Sequence, residues 1–163
     1  MSDPLRSDVR LREVQNDDLE VFFEHQRDPE ANRMAAVPAR GRDAFMAHWA
    51  KIRADRTVIL QTVAVDGDVA GNLVSWEQPG RRMVGYWVGR GYWGRGIATR
   101  ALTLFLGVVR PRPLYANVAV HNAGSLRVLE KCGFRRVASH DFPHSTAGAD
   151  AIDAVVLVLE NQL

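Results

Sequence analysis

The chain has 163 residues, of which 47% are hydrophobic and 25% charged, and its formal net charge is +2. This size predicts one globular domain over residues 1–163 and leaves no room for a second one. The sequence has neither a signal-peptide pattern nor a window of roughly 18 apolar residues that would span a membrane, so we expect a cytoplasmic protein without a membrane partner.

The first half of the chain predicts three strands and two helices. The strands are expected at residues 9–14, 57–65 and 68–76, and the helices at residues 17–27 and 43–55. The dipeptide Asp66–Gly67 between two of these strands favours a tight type I′ hairpin turn. Apolar residues of the second helix recur on one stripe, which predicts a core-facing side; they are Phe45, Met46, Trp49 and Ile52.

The second half alternates strands and helices around a glycine-rich loop. A strand at residues 83–88 leads through this loop into a helix at 95–109 that is apolar nearly all round, which predicts burial. A strand at 114–120 and a short helix at 122–133 follow, the helix ending at Gly133. Two final strands are expected at 134–141 and 150–159.

Charge is distributed unevenly along the chain. No Asp or Glu occurs between Glu77 and Glu130, whereas this interval carries eight arginines. Such an interval is typical of an anion-binding region or of a solvated basic face. Because it surrounds the glycine-rich loop, we expect an anionic ligand there.

The loop VGRGYWGRGIAT at residues 88–99 has the setting of a phosphate-binding turn between a strand and a helix. A P-loop is excluded, because Gly96 is followed by Ile97 rather than by Lys and Ser or Thr. A dinucleotide fold needs an acidic residue about 20 positions later, and none occurs before Glu130. The remaining ligand class carries a pyrophosphate but no acid-bound ribose, which fits coenzyme A. A tight turn without a ligand is the alternative for Gly94 and Gly96.

Two linked motifs resemble the GNAT superfamily of acyl-CoA-dependent N-acetyltransferases. They are GYW at 85–87 with YWGRGIAT at 92–99, and NAGS at 122–125 with LEKCGF at 129–134. They are especially similar to the branch of ribosomal-protein-alanine acetyltransferases. The resemblance implies an α/β fold with about four helices and a mixed, mostly antiparallel sheet, in which two parallel middle strands splay apart.

The resemblance also implies a set of ligand-binding residues for acetyl-CoA. They are Trp87, Val88, Arg90, Gly91, Gly94, Arg95, Gly96, Ile97, Ala98, Thr99, Asn122 and Ser125. Gly91 stands where the family has Gln or Arg, and Arg90 is the neighbouring substitute. For Asn122 the alternative role is a helix N-cap.

Two candidate catalytic residues follow from departures from the family pattern. Leu129 stands where many members have a Tyr that acts as the general acid, which makes Ser125 the candidate proton donor to the CoA thiolate. Met83 stands where many members have a Glu that acts as the general base, which leaves Glu77 as the candidate base nearest in sequence. Their structural alternatives are a first-turn helix residue for Ser125 and a turn residue for Glu77.

The predicted function is transfer of an acetyl group from acetyl-CoA to a primary amine of a small molecule or a protein N-terminus, by direct attack in a ternary complex. We expect a monomer or homodimer. We also expect no metal, because the five histidines and Cys132 lack the spacing of metal ligands. A catalytically silent CoA-binding regulatory module stays open. An arginine-rich nucleic-acid-binding domain also stays open, although the motifs weigh against a nucleic-acid partner.

Overall fold

The computed structural model describes residues 7–137 and 154–160. These residues form seven strands, β1 Val9–Arg12, β2 Ile59–Val65, β3 Asp68–Gln78, β4 Arg81–Val88, β5 Leu114–Ala119, β6 Arg135–Val137 and β7 Ala154–Leu159. They also form five α-helices, α1 Asp18–Gln26, α2 Pro29–Ala35, α3 Arg42–Ala54, α4 Ile97–Val108 and α5 Ala123–Lys131. A single 3₁₀ turn, Arg90–Tyr92, lies in the glycine-rich loop between β4 and α4.

All seven strands belong to one sheet, in the order β1-β2-β3-β4-β5-β7-β6. Neighbours are antiparallel except for β4 and β5, which are parallel in the middle of the sheet. The register of this parallel pair covers Arg82 with Leu114 and Met83 with Tyr115, and the rest of both strands diverges. The predicted mixed sheet with splayed middle strands is therefore confirmed, and the divergence opens a gap beyond Met83.

Each face of the sheet carries its own apolar core. On one face the buried residues of α4, among them Leu102 and Phe105, pack with β3, β4, β5 and β7. On the other face α1 and α3 contribute an aromatic cluster of Phe22, Phe23, Phe45 and Trp49, which confirms the predicted stripe of α3. Burying side chains of this size stabilises the fold by about 1.5–3 kcal/mol each, so the cluster holds both helices firmly against β2 and β3.

Helix α4 differs from its prediction in two respects. Leu104 and Val108 are 46% and 47% exposed, so the helix has one solvent-facing side instead of being largely buried. It begins at Ile97 rather than at Arg95, because Gly94 and Gly96 adopt left-handed backbone angles, φ 76° and 73°, which an α-helix cannot include.

The sequence prediction also missed helix α2. The side chain of Asp28 caps it by accepting a hydrogen bond from Glu30 N at 3.3 Å, and Pro29 occupies its first turn. This helix begins directly after α1, and its second half lies beside the gap between β4 and β5.

The predicted hairpin turn agrees with the structure, and the last two predicted strands agree with it as far as the described residues reach. Asp66 and Gly67 have φ angles of 50° and 88°, as the predicted type I′ turn requires. Strands β6 and β7 fall within the predicted strands 134–141 and 150–159, whose other residues and connecting loop lie outside the described part. In the described ranges, no helix combines the length and the apolar character that crossing a membrane requires.

Candidate functional site

A first cleft of about 410 Å³ opens where β4 and β5 separate. Its walls come from the end of β4, the glycine-rich loop, the first turn of α4, helix α5 and the second half of α2. Nine of the predicted ligand-binding residues line it, namely Trp87, Val88, Gly94, Gly96, Ile97, Ala98, Thr99, Asn122 and Ser125.

The loop presents backbone N–H groups to this cleft. The amides of Ile97, Ala98 and Thr99 form the first turn of α4, where an α-helix has no internal acceptors for them, and no side chain caps this end. A Cβ atom at Gly94 or Gly96 would meet no protein atom within 4 Å, so the loop is bordered by open space. Free amides at a helix N-terminus beside open space suit an anionic group such as a phosphate.

The charges around the first cleft have the same preference. Arg127 and Lys131 of α5 line it, and among the described lining residues there is no Asp or Glu. A ligand bound here therefore meets two cations and the positive end of α4, which favours negative charge.

Three predicted ligand-binding residues do not line the first cleft: Arg90, Gly91 and Arg95. Arg95 donates a hydrogen bond to Ser7 Oγ at 2.6 Å and lies over the ring of Tyr92. The 3₁₀ turn carries Arg90 and Gly91 away from the cleft wall. Contact between these three residues and a ligand stays a prediction.

A helix corner, residues 25–28 at the end of α1 and the N-cap of α2, packs directly against the start of the loop. The ring of His25 lies so close to Gly89 that a Cβ atom there would come within 2.6 Å of Nε2. Beside it, Arg90 Nη1 lies 3.3 Å from Asp28 Oδ1. Burial lowers the pKa of His25, so its imidazole is neutral at pH 7. The helix corner is thus tied to the loop by one steric contact and one ion pair.

A second cleft of about 600 Å³ lies between helices α1 and α3 and strands β3, β4 and β5. Much of its wall is aromatic, including Trp49 and Trp76. The ring of Trp76 lies across Gly85, where a Cβ atom would be 3.4 Å away. The two clefts share five lining residues, Ala35, Tyr86, Trp87, Asn122 and Ser125. They therefore meet at the gap between β4 and β5.

Groups that bind or release protons also line the second cleft. Glu77 lies within β3, with its side chain 65% exposed and one oxygen 3.5 Å from Arg82 Nη1. His48 of α3 has its pKa lowered by burial and by the nearby charge of Arg40. The cleft is accordingly lined by two exposed acidic residues, Glu77 and Asp55, and by the imidazole of His48, which is neutral at pH 7.

Two buried N–H donors of the second cleft lack partners. Gln26 Nε2 and Trp87 Nε1 are both shielded from solvent and have no hydrogen-bond partner among the described residues. Leaving a buried donor unpaired costs about 1–3 kcal/mol. A ligand oxygen that reaches these donors would recover that cost.

The junction of the clefts contains a pair of hydroxyl groups. Ser125 Oγ at the first turn of α5 lies 2.7 Å from Tyr86 Oη of β4. Asn122 Oδ1 accepts a hydrogen bond from Ser125 N at 3.2 Å, so Asn122 is the helix N-cap and holds Ser125 in place. Burial raises the pKa of Tyr86 to about 12, despite the opposing effect of the bond to Ser125. Both hydroxyls are therefore protonated at neutral pH.

Comparison with known proteins finds one matching family model and many solved structures of similar fold. Residues 8–135 match the model of the acetyltransferase (GNAT) domain. No curated protein matches the sequence. Solved structures that resemble the fold include the spermidine N-acetyltransferase from Vibrio cholerae in complex with CoA and spermine, with 15% identity, TM-score 0.77 and coverage of 93% of this chain and 95% of that one.

Two further structures have comparable similarity. The acetyltransferase (GNAT family) from Bacillus anthracis has 17% identity and TM-score 0.76, covering 95% of this chain and 96% of that one. A putative phosphinothricin N-acetyltransferase has 22% identity and TM-score 0.74, covering 94% and 98%. At such identities the likeness shows a shared fold.

Proposed function

The chain belongs to the acetyltransferase (GNAT) family, and from this premise we propose that it transfers an acetyl group from acetyl-CoA to a primary amine by direct attack in a ternary complex. The observation that carries the proposal is the meeting of two clefts at Ser125. One cleft has the charge and the free amides for a phosphorylated donor, and the other has the polar and aromatic walls for an acceptor.

We assign the pyrophosphate of acetyl-CoA to the glycine-rich loop. Gly94 and Gly96 leave the necessary space, and the amides of Ile97, Ala98 and Thr99 supply donors at the positive end of α4. In this arrangement the pantetheine arm runs along Trp87 and Val88 towards Asn122. The thioester then lies beside Ser125, at the junction of the clefts.

Ser125 is the proposed proton donor to the CoA thiolate, and Glu77 is the candidate base for the amine. The position of Ser125 supports its role as proton donor, because Ser125 lines both clefts. Glu77 lines the second cleft, but its side chain is 65% exposed and already pairs with Arg82. The reaction therefore needs another route for the amine proton or an amine that arrives neutral.

The acceptor is proposed at the level of a primary amine on a small molecule or on a protein N-terminus. Similarity of the two motifs to the ribosomal-protein-alanine branch favours a protein N-terminus, and the polyamine and phosphinothricin enzymes of similar fold favour small molecules. The unpaired donors on Gln26 and Trp87 favour an acceptor that also carries an oxygen.

The direct test is release of free CoA from acetyl-CoA in the presence of an amine panel. The panel contains spermidine, phosphinothricin, free amino acids and short peptides with N-terminal alanine. We expect at least one amine to raise CoA release well above the rate without amine, with a matching gain of 42 Da in the acceptor. Tight binding of acetyl-CoA together with background release for the whole panel would instead indicate a silent CoA-binding module.

A further inference from the structure

Tyr86 and Ser125 form a pair of hydroxyl groups at the point where the two clefts meet. Five residues line both clefts, and of these only Tyr86 and Ser125 carry a group that can donate and accept a proton at once. The indole N–H of Trp87 can only donate, and the Oδ1 atom of Asn122 already caps α5.

The strand and the helix that carry the pair come from opposite sides of the gap. Tyr86 extends from β4 and Ser125 from the first turn of α5, and the 2.7 Å contact between their oxygens bridges the divergence of β4 and β5. Met83 and Leu129 occupy the positions where the family pattern has ionisable groups, and both side chains are buried, each 1% exposed. At the junction itself, the Tyr86–Ser125 pair therefore stands in for these missing ionisable groups.

We propose that Tyr86 and Ser125 form a proton relay that carries the proton of the attacking amine to the departing CoA thiolate. As the nitrogen–carbon bond forms and the carbon–sulfur bond breaks, the amine proton passes to Tyr86 Oη. The phenol proton passes to Ser125 Oγ, and the serine proton passes to the sulfur. Each hydroxyl ends with one proton, so the products are the amide and the CoA thiol.

This relay deepens the proposed function and rests on it, because it needs acetyl transfer between the two clefts. The relay also explains how the amine can lose its proton although position 83 carries Met instead of Glu. A phenol with a pKa raised to about 12 does not ionise in the resting enzyme, so it is suited to pass a proton on while it accepts another. The same pair then acts as base towards the amine and as acid towards the thiolate.

The test compares Tyr86→Phe, Ser125→Ala and the double variant with the wild-type protein. Removing either hydroxyl interrupts the same relay, so we expect kcat to fall about 10²-fold in each single variant. The double variant should be no slower than the slower single variant, because a broken relay cannot be broken twice. In Tyr86→Phe the Kd for acetyl-CoA, measured by calorimetry, should change less than about threefold, because the Tyr86 hydroxyl is assigned to neither the pyrophosphate nor the pantetheine.

Two further measurements separate a relay from a structural role. In mixtures of H₂O and D₂O the wild-type rate should depend on the deuterium fraction along a curve, which indicates more than one proton in motion, and the Tyr86→Phe rate should depend on it linearly. Ser125→Thr keeps a hydroxyl and should recover most of the wild-type kcat. Tyr115→Phe is the matched control, because Tyr115 lines neither cleft, and its kcat should equal that of the wild type.

The outcomes distinguish the relay from the function on which it rests. If the wild type acetylates an amine and Tyr86→Phe stays within twofold of its kcat, the relay is refuted and the acetyltransferase stands. Losses in the single variants that multiply in the double variant also refute it. If the wild type acetylates none of the amines, the relay falls together with the proposed function.

Discussion

Replacing Gly96 by Ala, with Gly80→Ala as its control, tests whether the glycine-rich loop binds acetyl-CoA. Both glycines have left-handed φ angles, 73° and 82°, and in both a Cβ atom would meet nothing within 4 Å. Both variants therefore incur the same strain, about 1–2 kcal/mol. Only Gly96 lines the first cleft, whereas Gly80 lies in the turn between β3 and β4.

The magnitude follows from the amides that the pyrophosphate would use. A hydrogen bond to a charged group contributes about 1.5–3 kcal/mol, so a methyl group at residue 96 that keeps the pyrophosphate from one of the amides of Ile97, Ala98 and Thr99 should raise the Kd of acetyl-CoA roughly 30-fold. At a ligand concentration of 100 times the wild-type Kd, binding stabilises the wild type by about 2.7 kcal/mol, and the variant by about 0.9 kcal/mol. For a domain of this size, each kcal/mol raises Tm by about 2–4 °C.

Thermal denaturation with and without acetyl-CoA measures these values. We expect a ligand-induced rise in Tm of about 5–11 °C for the wild type and Gly80→Ala, and of about 2–4 °C for Gly96→Ala. Without ligand, the two variants should melt at similar temperatures, below the wild type. An equal ligand-induced rise in all three proteins would show that acetyl-CoA does not depend on the loop and would refute the assignment.

Three further predictions concern the acceptor, the base and the buried ion pair. Gln26→Leu should raise the KM of an oxygen-bearing acceptor about tenfold without changing the Kd of acetyl-CoA, and an unchanged acceptor KM would remove Gln26 from the site. The pH at which kcat/KM levels off should follow the pKa of each amine, and a single fixed break that Glu77→Gln abolishes would make Glu77 the base. Asp18 is 2% exposed and accepts hydrogen bonds from Arg12, Gln15 N and Thr62. Asp18→Asn should therefore lower the free energy of unfolding by roughly 2 kcal/mol. This loss is smaller than for a fully buried ion pair, because the Arg12 side chain is 34% exposed.

The pH dependence of Asp18 has a definite sign. Burial alone would raise its pKa, but the hydrogen bonds and the charge of Arg12 outweigh burial and hold the pKa below 3.8 in the folded protein. Its contribution to stability is therefore complete well above the unfolded pKa of about 3.9, and it is lost progressively as pH falls through that value and then through the folded pKa. Urea denaturation between pH 7 and pH 3 should show this loss in the wild type and a smaller one in Asp18→Asn.

Local patterns in the sequence predicted much of the fold, because they report on single elements. The Asp66–Gly67 turn and the Phe45–Trp49 stripe each follow from backbone or burial preferences within a few residues. Helix α2 was missed although its signal was present, since Asp28 followed by Pro29 and Glu30 is a typical helix start. The position of β7 between β5 and β6 had no local signal, because strand order depends on contacts distant in sequence.

The candidate site divides in the same way. The amides of the loop and the capping role of Asn122 depend on neighbouring residues, and the sequence predicted both. The contact between Tyr86 and Ser125 joins residues 39 positions apart across the splayed strands, so no spacing rule could have found it. His48 and Gln26 were missed for the same reason, since only the packing of α1 and α3 over the sheet brings them to the second cleft.

The contact of the helix corner with the loop should couple the binding of the two proposed substrates. His25 abuts Gly89, and Asp28 pairs with Arg90 at the start of the loop that we assign to acetyl-CoA, while Gln26 between them lines the proposed acceptor cleft. A ligand that shifts the loop must therefore also shift the wall of the other cleft. Such coupling is reciprocal: if bound acetyl-CoA tightens acceptor binding by some factor, the acceptor tightens acetyl-CoA binding by that same factor. Weakening the corner should make the two substrates bind independently.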